Sequence, residues 1–203
     1  IARPYSPVDY HRGGGDGEEE GFELIVKRYE GGSVSGLLCG LEVGETVEMR
    51  GPIETVGYQP NLVEELGMIS GGTGIAPFYL LVKQILTDPA DHTKVALICA
   101  NRTSSEILLR DELEALRARF PDRLRVLHVV EHGAAEEGIV PGRVEVDVVR
   151  RFFGAPGPEK GVLVCGPEGM VRHVAGGKLD EDRQGPLDGV LKAVGYSERQ
   201  VYK

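Results

Sequence analysis

The sequence predicts an α/β protein in two parts: a partial antiparallel β-barrel over residues 1–60, then a doubly wound parallel sheet over residues 61–203. Three observations indicate this. Short alternating polar and apolar segments between turns, typical of antiparallel strands, fill the first part. In the second part, apolar strand-like segments alternate with segments of helical periodicity, as in βαβ units. A glycine-rich turn, GGTG at residues 71–74, joins the first of those strands to the first helix.

The first part is predicted to be rich in strands. Two prolines in RPYSP, residues 3–7, force an extended path. Residues 9–21 are glycine-rich and acidic and predict a surface loop. Strands are predicted over residues 22–29 and 45–50, and GGSVS at residues 31–35 indicates the start of a helix. This predicts a portion of a barrel with short turns.

Two stretches of the first part have residue types suited to a ligand. In RPYSP, the fork of Arg3 suits a pyrophosphate and the ring of Tyr5 suits a flat heterocycle. A proline-punctuated edge strand explains the same residues. GGSVS at residues 31–35 is equally typical of an anion cradle and of an ordinary capped helical turn.

The second part is predicted to alternate strands and helices. Strands are expected at residues 68–69, 94–100, 125–130 and 161–165. Helices are expected at residues 78–86, at 106–120 with Ser104 or Ser105 as the cap, at 147–153 and from 166–170 onwards. In a doubly wound sheet the ligand lies at the carboxyl ends of the strands. Four stretches fall on that edge: residues 71–74, 101–104, Glu131 and 165–169.

The glycine turn alone does not establish a nucleotide site. Pro77 occupies the position of the third glycine of the dinucleotide fingerprint, so a plain tight turn between strand and helix is the alternative.

Composition excludes some partners. The hydrophobic content of 41% and charged content of 27% describe a globular chain, and its net charge of −9 disfavours nucleic acid and anionic lipid. No apolar run has the ~18 residues of a membrane span, and no signal peptide is visible. The chain opens without methionine, so we expect a soluble fragment whose targeting or membrane segments lie outside it.

Three well-separated cysteines predict reduced thiols, and His128 and His132 are not expected to bind a metal.

Four motifs resemble one family when they are taken in order and spacing. They are RPYSP at residues 3–7, GSVS at 32–35, GGTGIAP at 71–77 and CGPEGM at 165–170, supported by CANRT at 99–103 and EILLR at 106–110. This arrangement resembles the cytochrome b5 reductase branch of the ferredoxin–NADP reductase superfamily. The resemblance implies a barrel that binds FAD, followed by a domain that binds a nicotinamide nucleotide.

The resemblance also implies roles for individual residues. Arg3 would hold the FAD pyrophosphate, Tyr5 would pack on the flavin, and Thr73 would contact both cofactors. The implied catalytic residues are Ser6 near flavin N5, Thr73, and Cys165 beside the nicotinamide ring, all around one shared hollow. The implied cofactor-binding residues are Arg3, Pro4, Tyr5, Ser6, Lys27, Tyr29, Gly32, Val34, Ser35, Gly72, Thr73, Gly74, Asn101, Arg102, Glu131, Cys165, Gly166, Pro167 and Met170.

The chain departs from the family pattern in three places. Family barrels have further strands before the arginine motif, so we expect this chain alone to bind FAD poorly. Ser33 and Val34 stand where members often have Lys-Met, which removes one positive charge. The tail, at residues 174–178 and 184–191, is more similar to fungal mitochondrial flavoproteins known as cytochrome c import factors.

The choice of nicotinamide nucleotide depends on two residues. Arg102 lies near the position where an arginine favours NADP. Glu131 matches an acidic position that disfavours the 2′-phosphate in NADH-using relatives, because a carboxylate repels a phosphate. We therefore predict NADH rather than NADPH.

Three functional hypotheses follow. The first is a flavin reductase that passes a hydride from NADH to FAD and single electrons to a haem protein such as cytochrome b5. The second is a mitochondrial flavoprotein that supports haem reduction in cytochrome c maturation, and the third is a nucleotide-binding module without turnover. By resemblance, the whole protein would associate with the mitochondrial or endoplasmic-reticulum membrane.

Overall fold

The computed structural model describes residues 2–11, 20–53, 57–180 and 183–203. The chain forms two compact units, Ile1–Gln59 and Pro60–Lys203.

The first unit contains a two-stranded antiparallel sheet and a short helix. Strand β1 (Pro7–His11) pairs with β2 (Gly21–Leu24), and helix α1 spans Ser33–Leu38. Tyr10 lies opposite Phe22 in this pairing, and both rings are about half exposed, at 51% and 48%.

Three predictions for this unit are wrong in whole or in part. Residues 9–11 form part of β1 rather than a loop, because they pair with β2, while residues 12–19 of that loop lie outside the described residues. The strand predicted over residues 22–29 ends at Leu24. Residues 45–50 are exposed and form no strand, since an alternating pattern makes a strand only where a neighbouring chain segment supplies hydrogen bonds.

The second unit is a six-stranded parallel sheet with helices, which confirms the predicted doubly wound class. The strand order is β6-β5-β4-β3-β7-β8. The strands are β3 (Glu65–Gly71), β4 (Lys94–Asn101), β5 (Leu124–Val130), β6 (Ile139–Pro141), β7 (Lys160–Cys165) and β8 (Val201–Tyr202). The helices are α2 (Ile75–Thr87), α3 (Arg110–Arg119), α4 (Val146–Phe153), α5 (Glu168–Ala175) and α6 (Gly189–Val194). Short 3₁₀ turns cover Gly72–Gly74, Ser104–Glu106 and Glu198–Gln200.

The core of this unit lies on both faces of its central strands. Met68, Ile69, Leu97 and Ile98 are fully buried, as expected for strands covered by helices on both faces. Ile69 and Ile98 belong to the main cluster with residues of α4, α5 and α6. Met68 and Leu97 alternate with them along the strands and therefore point to the opposite face.

The helix predicted over residues 106–120 begins later than the sequence indicates. Ser104–Glu106 forms a 3₁₀ turn, and Leu109 adopts a left-handed conformation with φ of 55° directly before α3. Neither Ser104 nor Ser105 is therefore the cap of this helix. The two shortest strands, β6 and β8, and helix α6 were not predicted, because elements of two to six residues carry too little periodicity.

His128 is an unusual core residue of β5. Its side chain is 3% exposed, and within the described parts of the chain neither ring nitrogen has a hydrogen-bond partner. Burial lowers the pKa of His128; the charges of Arg110 and Arg117 on α3 act in the same direction, and Glu114 opposes them. The folded chain therefore holds this imidazole neutral.

The neutral His128 predicts a loss of stability in mild acid. Because its pKa is lower in the folded than in the unfolded chain, the unfolded chain binds more protons as pH falls below 6.5. The free energy of unfolding should then decrease by up to about 1.4 kcal/mol per pH unit. We expect His128→Leu to flatten this dependence in urea denaturation between pH 7 and 5. The exposed His132 provides the control variant His132→Leu; an H128L protein with the parental slope would contradict the assignment.

Candidate functional site at the carboxyl edge of the parallel sheet

The carboxyl edge of the parallel sheet brings together the predicted site residues of the second unit. Strands β3, β4, β5 and β7 run parallel, so their carboxyl ends lie at the same edge. The predicted residues at or directly after these ends are Gly72, Thr73, Gly74, Asn101, Arg102, Glu131, Cys165, Gly166, Pro167 and Met170.

The topological switch point of the sheet lies between β3 and β7. The chain adds β4, β5 and β6 on one side of β3 and then places β7 and β8 on the other. Ligands of doubly wound sheets bind in the crevice outside the strand ends at such a point. Ser70 is in register with Cys165, so the turn after β3 and the end of β7 border the same crevice.

The glycine turn Gly72–Gly74 is a single 3₁₀ turn that leads directly into α2. Gly72 has a φ of +52°, and a Cβ atom added there would meet nothing within 4 Å, so the turn is open on this side. No side chain caps the turn or the helix that follows it. Gly72 therefore leaves the backbone accessible to a ligand.

Gly74 is closely packed against the end of β7. A Cβ atom added at Gly74 would overlap the carbonyl oxygen of Cys165 and lie 2.6 Å from its carbonyl carbon. Backbone atoms cannot move aside as a flexible side chain can, so only glycine fits here. The close approach of the two backbones fixes the position of the turn relative to Cys165.

The thiols near this crevice are held neutral. Burial raises the pKa of Cys165, against a smaller opposing effect of the Lys178 charge. Burial also raises the pKa of Cys99 to about 12, although a hydrogen bond with Ser70 opposes it. Because the thiolate is the reactive form of cysteine, neither thiol is a nucleophile at physiological pH.

Glu131 at the end of β5 forms an ion pair that the sequence analysis missed. Arg143 Nε donates to Glu131 Oε1 at 3.0 Å. The peptide N–H of His132 donates to the carbonyl oxygen of Arg102 at 2.8 Å, which continues the backbone pairing beyond the strands. Arg143 follows β6, and because β6 was not predicted, no sequence signal placed this arginine at the edge.

The predicted site residues of the first unit lie before β1 and around α1. Ser35 accepts a hydrogen bond from the Tyr29 N–H at 3.2 Å and donates to the Gly32 carbonyl oxygen at 3.5 Å. This hydroxyl therefore holds its own loop together. Residues of this unit named by the sequence analysis are Arg3, Pro4, Tyr5, Ser6, Lys27, Tyr29, Gly32, Val34 and Ser35.

An open cavity of about 410 Å³ lies beside this loop. Two of the predicted residues, Tyr29 and Gly32, line it. Arg28 lines it as well and was not predicted, although it directly follows Lys27. Arg28 and the open backbone at Gly31 and Gly36, where an added Cβ atom would meet nothing within 4 Å, suit a phosphate, whereas the Glu30 carboxylate that also lines the cavity opposes an anion.

Two family models match the chain. The model of the oxidoreductase NAD-binding domain matches residues 68–176, and that of the oxidoreductase FAD-binding domain matches residues 1–58. The chain is 33% identical to NADH-cytochrome b5 reductase 2 of Lodderomyces elongisporus, over all of this chain and 67% of that protein. It also superposes with a TM-score of 0.81 and 30% identity on the cytochrome b5 reductase domain of Ulva prolifera nitrate reductase, covering 99% of this chain and 76% of that one. The chain belongs to the cytochrome b5 reductase family.

This family assignment confirms the resemblance that the motifs indicated, and the two matched models support FAD and NADH as the cofactors. An NADH-cytochrome b5 reductase-like protein of Arabidopsis thaliana is 34% identical over the whole of this chain. The chain spans 60% of the length of that relative.

Both units fit the cofactors of a cytochrome b5 reductase family member. The open backbone at Gly72, at the switch point of the sheet, fits a nicotinamide nucleotide. In the first unit, Arg28 supplies a cation suited to the phosphates of FAD, beside the carboxylate of Glu30. Among the described residues, no cluster of His, Cys, Asp and Glu side chains is arranged to bind a metal ion, and no helix has the length and apolarity needed to cross a membrane.

Proposed function

We propose that this chain is the cofactor-binding portion of a FAD-dependent oxidoreductase that oxidises NADH and reduces a haem protein of the cytochrome b5 type. Residues 1–60 bind FAD and residues 61–203 bind NADH in this proposal. The observation that carries it is the open glycine turn at the switch point of the sheet, in a chain that aligns over its whole length with NADH-cytochrome b5 reductases.

The residues of the second unit position the nucleotide and leave the redox chemistry to the cofactors. The cofactors, when bound, would supply the chemistry: hydride transfer from NADH to FAD and single-electron transfer from FAD. The Gly72–Gly74 turn lets the nucleotide approach the backbone, and Thr73 lies in that turn. Cys165 would lie beside the nicotinamide ring, and burial, which raises the pKa of its thiol, would keep it from acting as a nucleophile.

The residues of the first unit hold FAD in this proposal. Arg3 and Arg28 bind its phosphates, because a guanidinium matches phosphate oxygens in geometry and charge. Tyr5 would pack on the flavin, and Ser6 would lie near the flavin atom that accepts the hydride. The loop fixed by Ser35 presents the glycines of the cavity to the cofactor.

We propose a cytochrome b5 type acceptor because the relatives described above carry that name. The alternative, haem reduction in cytochrome c maturation, rests on the tail at residues 174–178 and 184–191. A mitochondrial or endoplasmic-reticulum membrane location of the whole protein belongs to the same proposal.

The acceptor is tested by mixing the NADH-reduced intact protein with cytochrome b5, cytochrome c or free haem in a stopped-flow instrument. Fastest reduction of cytochrome b5 supports the proposal, and a clear preference for cytochrome c or free haem contradicts it.

Replacing Glu131 by threonine should raise the relative use of NADPH. The substitution removes a negative charge from the edge where we place the ribose, so a 2′-phosphate there is no longer repelled. We expect the ratio of kcat/KM for NADPH over NADH to increase by about tenfold or more. Glu112→Thr on α3 is a control of equal charge change. An unchanged ratio in E131T would contradict the role of Glu131.

A further inference from the structure

The side chain of Asn61 binds the start of the second unit to the loop that precedes β4. The first unit ends at Gln59 and the second begins at Pro60. Asn61 Nδ2 donates to the carbonyl oxygen of Ala90 at 2.8 Å, and Asn61 Oδ1 accepts from the His92 N–H at 2.8 Å. One side-chain amide therefore holds two backbone groups of that loop, directly after the boundary between the units.

The backbone of Asn61 is held by the same loop. Its N–H donates to Asp91 Oδ1 at 3.3 Å, and this oxygen also accepts from the Thr93 N–H at 2.9 Å. Asp91 is 1% exposed, so the acceptor has a fixed position. Asn61 has a φ of 60°, a left-handed conformation that asparagine adopts more readily than most residues. Asparagine therefore suits both the turn and the contacts with the loop.

These contacts lie ahead of the hydrogen bonds that lead into the sheet. The next bond to the loop is at Val63, whose carbonyl oxygen accepts from Thr93 Oγ1 at 3.0 Å. It is followed by the bond from the Lys94 N–H to the Glu64 carbonyl oxygen at 2.9 Å, next to the start of β3. Loss of the Asn61 contacts would therefore leave the chain free as far as Val63.

The length of free chain between two ligand-binding units affects how often their ligands meet. A flexible linker sets an effective concentration that falls as roughly the −3/2 power of its length. Hydride transfer further requires the reacting atoms to approach within roughly 3–3.5 Å in the correct orientation. In the proposed function the first unit holds FAD and the second holds NADH, so the point where the chain enters the second unit affects this step.

We propose that Asn61 is a positioning residue for the reaction: by fixing the point at which the linker joins the second unit, it raises the rate of hydride transfer without contributing to nucleotide affinity. The inference rests on the proposed function. Asn61 lies before β3, at the amino edge of the sheet, whereas the turn Gly72–Gly74 lies at the carboxyl edge. A freer linker should therefore slow the transfer and leave the nucleotide site unchanged.

The test measures the limiting rate of flavin reduction by saturating NADH in the intact protein, by anaerobic stopped-flow absorbance. Asn61→Gly accepts the positive φ but removes the side-chain amide. We expect the rate to fall about threefold or more, while the affinity for 5′-AMP, measured by isothermal titration calorimetry, changes by less than about 1.5-fold.

Gln200→Ala is the matched control. The Gln200 amide also binds backbone groups through both ends, since Nε2 donates to the Gly157 carbonyl oxygen at 2.7 Å and Oε1 accepts from the Ser197 N–H at 3.0 Å. Gln200 lies before β8, away from the boundary between the units. Q200A should keep the parental rate even where it lowers the free energy of unfolding as much as N61G does.

A second variant separates an effect of the linker from a folding defect. Thr93→Val removes the bond to Val63 but leaves the Asn61 side-chain contacts in place, so alone it should keep the parental rate. Added to N61G, it should slow the transfer further, because the free chain then extends closer to β3. Hydrogen exchange should be faster in N61G at His92 and at residues 57–62, and unchanged in β3 and β4.

The possible outcomes distinguish this inference from the proposed function. N61G that reduces its flavin at the parental rate, or that is slowed no more than Q200A or T93V, would overturn the inference and leave the proposed function standing. A loss of 5′-AMP affinity as large as the loss of rate, or unchanged exchange at His92, would also overturn it. A parent protein whose flavin NADH does not reduce would overturn the proposed function and this inference with it.

Discussion

Replacing Gly74 by alanine is expected to lower the free energy of unfolding by about 2–3 kcal/mol and to weaken nucleotide binding at least about tenfold. The added Cβ atom would overlap the carbonyl group of Cys165, so the turn and the end of β7 must move apart. Overpacking against backbone is costly because no rotamer change relieves it. The same displacement misplaces the open backbone at Gly72, which we expect a nucleotide to approach.

The measurements for Gly74→Ala are urea denaturation followed by circular dichroism and calorimetric titration with 5′-AMP. Gly169→Ala is the control for the stability measurement, since Gly169 lies in α5 and an added Cβ atom would meet nothing within 4 Å. Alanine is favoured over glycine in a helix, so G169A should be as stable as the parent or slightly more stable. A G74A protein with parental stability and nucleotide affinity would show that the close approach to β7 is not a constraint.

Replacing Lys203 by methionine is expected to destabilise the second unit by about 3 kcal/mol. The Lys203 side chain is buried, and its Nζ donates to the carbonyl oxygens of Gly185 at 2.7 Å, Pro186 at 3.1 Å and Gly177 at 3.3 Å. Methionine keeps the length of the side chain but leaves these three acceptors without their donor. The segment between α5 and α6 would lose its hydrogen bonds with the side chain of Lys203, the residue that follows β8.

Hydrogen exchange gives the specific readout for Lys203→Met. Amides of residues 176–180 and 183–188 should exchange faster, while those of β3 and β4 change little until global unfolding. The matched control is Lys192→Met, because Lys192 is 63% exposed and pairs only loosely with Asp188, at 3.6 Å. If K203M and K192M show the same stability and the same exchange, the three hydrogen bonds of Lys203 do not hold this segment.

The sequence predicted those parts of the fold that local patterns encode. The apolar run of β4 and the helical spacing after the glycine turn each occupy enough residues to be recognised. The late start of α3 was missed because it depends on the left-handed conformation of Leu109, which apolar residues rarely adopt and composition does not signal. The strand predicted over residues 45–50 failed for the opposite reason, since its pattern has no pairing partner among the described residues.

The residues of the candidate site were likewise predicted only in part. Glycines at Gly72 and Gly74 were identified from the sequence because their positions follow a strand and open a helix. Arg143 was not identified, because only the tertiary fold brings it near Glu131, 12 residues away in the sequence. Outside the site, the contacts of Lys203 were missed for the same reason. The strand predicted over residues 125–130 contains His128, but the burial of its ring without a hydrogen-bond partner among the described residues depends on tertiary packing and was not predicted.

The most direct test of the account is an anaerobic titration of the intact protein with NADH, followed by the visible absorbance of the flavin. We predict that one equivalent of NADH per flavin bleaches this absorbance, and that NADPH at the same concentration does so more slowly. A protein whose bound flavin keeps its colour in excess NADH would contradict the account.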